Sequence, residues 1–115
     1  MEQCNRIELK GVVGFVKLQA FNGSKVARIS LVTNYVYKNK GGEPVVETTW
    51  HNINAWEGKE IRNLDKIEKG TKLYVAGRLR SQRYTDNEGV DRNSYEVYAE
   101  AVNIIDEQLK IQNEL

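Results

Sequence analysis

Cysteine and histidine are almost absent from this sequence, and their scarcity excludes several kinds of site. The one cysteine, Cys4, cannot form an internal disulfide, so we expect a free thiol in a reducing compartment. The one histidine, His51, has no second histidine with which to form a catalytic dyad or a multi-histidine metal site. One cysteine and one histidine also exclude the usual structural zinc site, and we predict no metal and no cofactor.

Long apolar runs are also missing. A membrane-spanning helix needs roughly 20 apolar residues in succession, and no stretch approaches that length. The N-terminus is acidic and polar where a signal peptide would be basic and then apolar. We therefore expect a cytoplasmic protein with one domain in residues 1–105. The last residues, 106–115, form a short tail to which we assign no firm structure.

A catalytic arrangement is not visible either. No nucleophile is placed beside a base, and the carboxylates are scattered. Asp86, Glu88 and Asp91 lie in one turn-rich segment, where exposure to solvent is the simpler explanation. Gly41 and Gly42 join two strands instead of opening a helix, so they do not form a phosphate-binding loop. We therefore predict that the protein is not an enzyme.

Alternation of apolar and polar residues predicts an all-β protein. The five predicted strands cover residues 6–17, 25–37, 45–56, 71–84 and 92–105. Residues 57–69 instead place Ile61, Leu64 and Ile67 three positions apart, with acidic residues first and basic ones last, which predicts a helix. Five strands with one helix between the third and fourth is the order of the OB-fold, a five-stranded Greek-key barrel.

The first predicted strand contains two glycines, Gly11 and Gly14, which are expected where a strand bulges or coils to close a barrel. Its apolar residues share one phase, and therefore one face: Ile7, Leu9, Val13 and Phe15.

The third predicted strand carries both tryptophans of the sequence. Because side chains alternate across a strand, Trp50 and Trp56 share one face while Ile53 and Ala55 share the other. If Ile53 and Ala55 face the core, both tryptophans face solvent, which is costly unless they meet a ligand or a partner. The alternative is that the phase is inverted and the tryptophans are core residues.

The fourth predicted strand repeats this arrangement. Its inward face is predicted to hold Leu73, Val75 and Leu79. Its other face combines rings with polar and basic groups, namely Tyr74, Arg78, Arg80, Gln82 and Tyr84. Rings interleaved with guanidinium groups suit single-stranded nucleic acid, because unpaired bases stack on rings while phosphates attract arginine and lysine. The distribution of charge is consistent with nucleic-acid binding. Residues 96–115 hold five carboxylates against one lysine, so the rest of the chain is basic. An uneven scatter of surface charge would also explain this distribution.

Five stretches in the same order and spacing resemble the bacterial single-stranded DNA-binding protein family over residues 5–105. They lie at residues 9–14, 26–34, 48–51, 69–80 and 84–92. The resemblance implies an OB-fold that assembles as a homotetramer. It also implies sequence-independent binding and protection of single-stranded DNA in replication, recombination and repair, at the nucleoid of a bacterial cytoplasm.

The resemblance further implies particular site residues. It places base-stacking rings at Tyr37, Trp50, Trp56 and Tyr84, and it puts His51 near a subunit contact. To these rings the aromatic and basic pattern adds further candidates for DNA binding: Tyr74, Lys38, Lys40, Arg78, Arg80 and Arg83.

This sequence departs from the family at two places. The connection from Phe15 to Lys25 is shorter than the family's acidic, proline-containing one. After Leu115 the family's flexible linker and acidic tip are missing, so recruitment of other proteins through a tail is not expected. The chain thus resembles a short paralogue, a copy on a phage or mobile element, or the tail-less primosomal replication protein N, for which a dimer would be the expected assembly.

Three functions stay open on these grounds. The first is a sequence-independent binder of single-stranded DNA, and the second is an adaptor whose exposed rings bind another protein. The third is a nuclease or other enzyme on the same fold. The face of rings and arginines favours the first, because the fold alone would not separate them.

Overall fold

The computed structural model describes residues 1–105, and these form a closed five-stranded barrel. The strands are β1 Ile7–Phe21, β2 Ser24–Lys38, β3 Pro44–Trp56, β4 Lys72–Thr85 and β5 Asp91–Ile104. Their order around the barrel is β1-β2-β3-β5-β4, with β4 pairing back onto β1. The β3–β5 pair is parallel and the other pairs are antiparallel. The predicted all-β, five-stranded OB-fold is confirmed.

The helix predicted over residues 57–69 is present only as one 3-10 turn, Leu64–Lys66. Ile61, Leu64 and Ile67 are nevertheless all buried in the core. Their spacing of three therefore reflects a segment that packs every third side chain into the core without forming an α-helix. Asn63 has a φ of 60°, and this left-handed conformation interrupts any α-helix.

The core is aliphatic and lies inside the barrel. Its largest fully buried side chains are Leu31, Ile53, Leu64, Leu73, Val13 and Val75. Ile53 and Ala55 are both inward, so the phase predicted for the third strand is confirmed. No polar or charged residue among residues 1–105 is buried, so the chemistry of this part of the chain lies on its surface. The same part contains no helix long and apolar enough to cross a membrane.

Three hairpins continue beyond the barrel as arms. We call them the β1–β2 arm (residues 17–25), the β2–β3 arm (residues 34–48) and the β4–β5 arm (residues 79–95), and almost all their side chains are exposed. The prediction that Leu79 faces the core is therefore wrong, because it is 43% exposed. Its phase is inward, but β1 pairs with β4 only as far as Gly77, so no strand covers the side chain of Leu79.

The Asn5 side chain covers the backbone edge of β4 at the point where β1 ends. Its Nδ2 donates to the Leu79 carbonyl oxygen at 2.8 Å, and its Oδ1 accepts from the Leu79 amide at 2.9 Å. One side chain therefore supplies both hydrogen bonds that a further residue of β1 would have made.

A bulge in β1 overturns the predicted phase of Phe15. Val13 pairs with Leu31 and Phe15 with Ser30, so Gly14 is the additional residue between these pairs. An extra residue reverses the faces of everything that follows it in the strand. Val13 accordingly points into the core, whereas Phe15 points outward and is 57% exposed.

Candidate nucleic-acid interface

Both tryptophans lie on the outward face of β3, together with Asn52 and Asn54, and neither is a core residue. Trp50 is 62% exposed, and Trp56 is half-buried. The Trp50 ring lies over Gly14, where an added Cβ would come within 2.4 Å of its Cζ3 atom. The bulge glycine therefore leaves room for the Trp50 ring, so the same residue that turns Phe15 outward also allows the ring to lie there.

Phe21 is an aromatic neighbour of Trp56 that the sequence did not reveal. The two ring centroids are 6.5 Å apart with an interplanar angle of 79°, which is an edge-to-face contact. Phe21 is itself exposed at the end of the β1–β2 arm. Phe21 lies between the first two predicted strands, residues 6–17 and 25–37, and only the continuation of β1 to Phe21 reveals its position.

Arg78 and Arg80 are joined to this face through Tyr98. Their Cζ atoms lie 5.1 Å and 5.4 Å from the centroid of the Tyr98 ring, in reach of cation–π attraction. Tyr98 also pairs with Asn54 between β3 and β5. The outward side of the barrel therefore runs without interruption from the tryptophans of β3 to the arginines of β4. Tyr98 was not predicted, although it follows the alternation of β5.

A groove crosses this face between Phe15 and the β4–β5 arm, with a volume of about 400 Å³. Arg28, Ser30, Asn52 and Asn54 line its floor, and side chains of β4 and β5 form the opposite wall. OB-folds bind oligonucleotides on the face of strands 2 and 3, between the hairpins that join strands 1 to 2 and 4 to 5. The groove occupies that position.

Several predicted residues lie elsewhere. Tyr37 stacks on Tyr35, and the two ring centroids are 6.2 Å apart. The β2–β3 register is unbroken, and it pairs Tyr37 with Val45 and Val32 with Trp50. Tyr37 and Val32 are an odd number of residues apart, so Tyr37 lies on the face of the β2–β3 arm opposite to Trp50. Lys38 and Lys40 lie at the tip of this arm. Lys38 pairs with Pro44 in the same phase as Val32 with Trp50, so among these three residues it is Tyr37 whose pairing places it on the opposite face.

The β4 candidates divide between two faces. Tyr84 has the phase of Arg80 and is exposed near the end of the β4–β5 arm. Arg83 has the opposite phase, and its Nη2 lies 3.7 Å from an Asp91 carboxylate oxygen. Tyr74 is half-buried and lines a separate cavity beneath the N-terminal segment. The structure therefore brings Tyr84 to the predicted face and sets Arg83 and Tyr74 apart from it.

His51 lies on the face opposite to Trp50. Its Nε2 and the Thr33 hydroxyl are 2.8 Å apart in a hydrogen bond, and burial lowers the pKa of the imidazole. A lowered pKa keeps the ring neutral near pH 7, so His51 does not add a positive charge for phosphates.

The acidic turn of the β4–β5 arm is structural. Asp86 accepts backbone hydrogen bonds from Glu88 and Val90, each at 2.9 Å. These bonds and the Arg92 guanidinium, which contributes most, hold the pKa of Asp86 below its ordinary value. Within residues 1–105 no group of three or more His, Cys, Asp or Glu side chains could hold a metal ion.

Residues 4–105 match the profile described as the single-strand binding protein family. The single-stranded DNA-binding protein of Neisseria meningitidis serogroup A is 27% identical over 84 residues, which cover 73% of this chain and 48% of that protein. The mitochondrial single-stranded DNA-binding protein of Danio rerio is 28% identical over 117 residues, covering 94% of this chain and 80% of its own. The chain therefore spans about half the length of the Neisseria relative and most of the mitochondrial one.

Two solved structures share the fold. The Plasmodium falciparum SSB in complex with ssDNA aligns with a TM-score of 0.79 and 27% identity, covering 92% of this chain and 98% of that one. A deletion mutant of the single-stranded DNA-binding protein from Thermus aquaticus aligns with a TM-score of 0.73 and 16% identity, covering 90% of this chain and 51% of that one. Since the family match extends over residues 4–105, nearly the whole described barrel, this chain belongs to the single-strand binding protein family.

Proposed function

We propose that this protein binds single-stranded DNA without sequence preference and protects it, with no catalytic step. The observation that carries the proposal is the uninterrupted outward face on which Trp50 and Trp56 lie beside the Arg78–Tyr98–Arg80 stack. Family membership and the ssDNA bound to the Plasmodium relative support it.

Stacking explains why the ligand is a single strand. Every unpaired base offers a flat face to an exposed ring, at about 1–3 kcal/mol per base, whereas a duplex hides those faces. The rings accept any base, so binding of this kind carries little sequence information. Arg78 and Arg80 are held by Tyr98 with their charges toward solvent, where phosphates can reach them.

We propose that the DNA contacts two surfaces of the protein. The first is the outward face, with Trp50, Trp56, Tyr84, Arg78 and Arg80. The second is the β2–β3 arm, where Tyr37 lies on the opposite face and Lys38 and Lys40 lie at the tip. A strand that passes around this arm would meet both sets. Tyr74 and Arg83 lie apart from either surface and are the weakest members of the predicted set.

For the assembly we propose a homotetramer, with a dimer as the alternative, and His51 near a subunit contact. An exposed ring on the face of the β2–β3 arm that does not carry Trp50 supports contact with a further copy, since Tyr35 is open to solvent there. We propose that the protein acts in replication, recombination and repair in a bacterial cytoplasm.

A titration with oligothymidylate tests the binding proposal directly. Bases that stack on Trp50 and Trp56 should quench the tryptophan fluorescence until the site is full. A duplex competitor at equal concentration should not reverse the quenching. If the oligonucleotide leaves the fluorescence unchanged, or if the duplex displaces it, single-strand binding on this face is wrong and an adaptor that binds protein becomes the better explanation.

A further inference from the structure

The bulge at Gly14 places further side chains of β1 on the outward face. Every second residue after the bulge points outward, so Phe15, Lys17 and Phe21 share one face of β1. Lys17 pairs directly with Arg28 of β2, and residues opposite each other in an antiparallel pair lie on the same face. Strands β1 and β2 therefore add two exposed rings and two exposed cations to the outward face.

Arg28 lies between two cavities that each contain exposed rings. On one side is the groove lined by the rings of Phe15 and Tyr95, which we call the Phe15 groove. On the other side is a cavity of about 300 Å³ lined by Phe21 and Trp56, which we call the Phe21 cavity. Arg28 lines both. One guanidinium therefore adjoins two places where a base can stack on a ring.

The Arg28 guanidinium is available to a ligand. It is exposed, and within residues 1–105 it has neither an ion pair nor a side-chain hydrogen bond. By contrast, Arg83 and Arg92 of the β4–β5 arm each lie against an aspartate. Lys17 adds a second positive charge beside Arg28, because directly paired residues have their Cβ atoms about 4.5–5.5 Å apart. Two adjacent cations of this kind attract a phosphate.

Glu96 is the one carboxylate that lines either cavity among the described residues, and it does not occupy Arg28. Asn54 donates to the Glu96 carboxylate at 2.6 Å, and Arg80 lies opposite Glu96 in the β4–β5 register. Glu96 therefore has its partners on β3 and β4, and it forms no ion pair with Arg28. The charge of Arg28 remains free to meet an anion from outside the protein.

We propose that Arg28, aided by Lys17, binds a phosphate of the DNA strand while the nucleotides on either side stack their bases in the Phe15 groove and the Phe21 cavity. The inference rests on the proposed binding of single-stranded DNA and extends its path onto β1 and β2. In a nucleic acid each phosphate joins two nucleotides, so the order ring, cation, ring on the protein matches base, phosphate, base on the strand. Rings accept any base, so this extension preserves binding without sequence preference.

The salt dependence of binding tests the phosphate contact. Arg28→Gln should flatten the slope of log affinity for oligothymidylate against log salt concentration by about 0.7, the amount expected for one phosphate contact on a single strand. Arg28→Lys keeps the positive charge, so its slope should stay near that of the wild type. A wild-type slope in Arg28→Gln overturns the proposal.

Lys25→Gln is the matched control for the loss of charge. Lys25 is exposed on the same strand as Arg28, but an odd number of residues away, so it has the opposite phase. The slope for Lys25→Gln should equal that of the wild type. Equal flattening in Lys25→Gln and Arg28→Gln would show that only the net charge matters, and it would overturn the proposal.

Truncation of the rings tests whether bases lie on both sides of Arg28. Phe15→Ala and Phe21→Ala should each weaken binding of oligothymidylate by about fivefold or more, because each loses a stacking surface, and neither should change the slope against salt. Leu18→Ala truncates an exposed apolar side chain of the opposite phase between them, and its affinity should equal that of the wild type. Wild-type affinity in either phenylalanine variant overturns the proposal.

Two further measurements keep these outcomes distinct. Thermal melts establish that each variant is folded, and Phe15→Leu and Phe21→Leu, which keep an apolar side chain without a ring, replace an alanine variant that does not fold. If oligothymidylate leaves the tryptophan fluorescence of the wild type unchanged, the proposed function itself fails. If the wild type binds it while Arg28→Gln keeps the wild-type slope, only the path across β1 and β2 fails.

Discussion

Leu73 and Leu79 lie on the same strand in the same phase, yet Leu73 is fully buried and Leu79 is 43% exposed. The difference marks the boundary between the barrel and the β4–β5 arm. At Leu73 the neighbouring strand is β1, which pairs with β4 from Lys72 to Gly77. At Leu79 only the Asn5 side chain continues that edge. The barrel supplies stability, and the arms and outward face supply contact surface, so changes in the two regions should have different consequences.

The largest expected effect comes from truncating the buried member of this pair. Leu73→Ala should lower the free energy of unfolding by about 2–5 kcal/mol, because it leaves a cavity in the core. Leu79→Ala, the matched control, should cost well under half as much, since solvent already reaches the side chain. Urea unfolding of both variants measures this. Equal losses would mean that the β4–β5 arm is packed as tightly as the barrel.

Trp50 tests the opposite side of the comparison. Trp50→Ala should weaken binding of single-stranded DNA by about 1–3 kcal/mol, because a stacking surface is lost. Its stability should change less than that of Leu73→Ala, because the ring is 62% exposed. Fluorescence of Trp56 follows the titration, and thermal melts report stability. A variant that binds normally but melts early would show that Trp50 is a packing residue.

A smaller effect is expected from the arginines. Replacing Arg80 by alanine should flatten the slope of log affinity against log salt concentration by about 0.7, the amount expected for one phosphate contact. Arg62→Ala carries the same loss of charge in the segment between β3 and β4, away from the outward face, and its slope should equal that of the wild type. An Arg80 variant with the wild-type slope would place this guanidinium off the DNA path.

The smallest effect concerns His51 and acid. Because burial lowers the pKa of His51, the unfolded chain takes up a proton at a pH where the folded chain does not. The contribution of this residue to stability should therefore fall as the pH drops below about 6.5, toward the lower pKa of the folded state. His51→Gln should remove this part of the pH dependence. The urea midpoints of the wild type and of His51→Gln, measured at pH 7.5 and 5.5, test this. An equal fall in midpoint between the two pH values for both proteins would contradict the prediction.

How far a pattern predicts structure depends on whether the strand stays regular. In β3, which has no bulge along its pairing with β2, alternation placed both tryptophans outward. In β1 the same reasoning placed Phe15 inward, because Gly14 was recognised as an interruption but its extra residue could not be counted. Phe21 and Tyr98 were missed since neither stands in a motif, and each acquires a partner only when distant strands meet.

The sequence by itself determined the all-β class, the succession of five strands along the chain and the outward phase of Trp50, Trp56, Arg78 and Arg80. These follow from alternation, a property of each strand alone. Only the tertiary structure decided that Leu79 is exposed, that Phe15 forms one wall of a groove and that Tyr37 lies on the opposite face from Trp50. Those outcomes depend on where one strand stops covering another and where a bulge lets the barrel close, and neither is a property of a single strand.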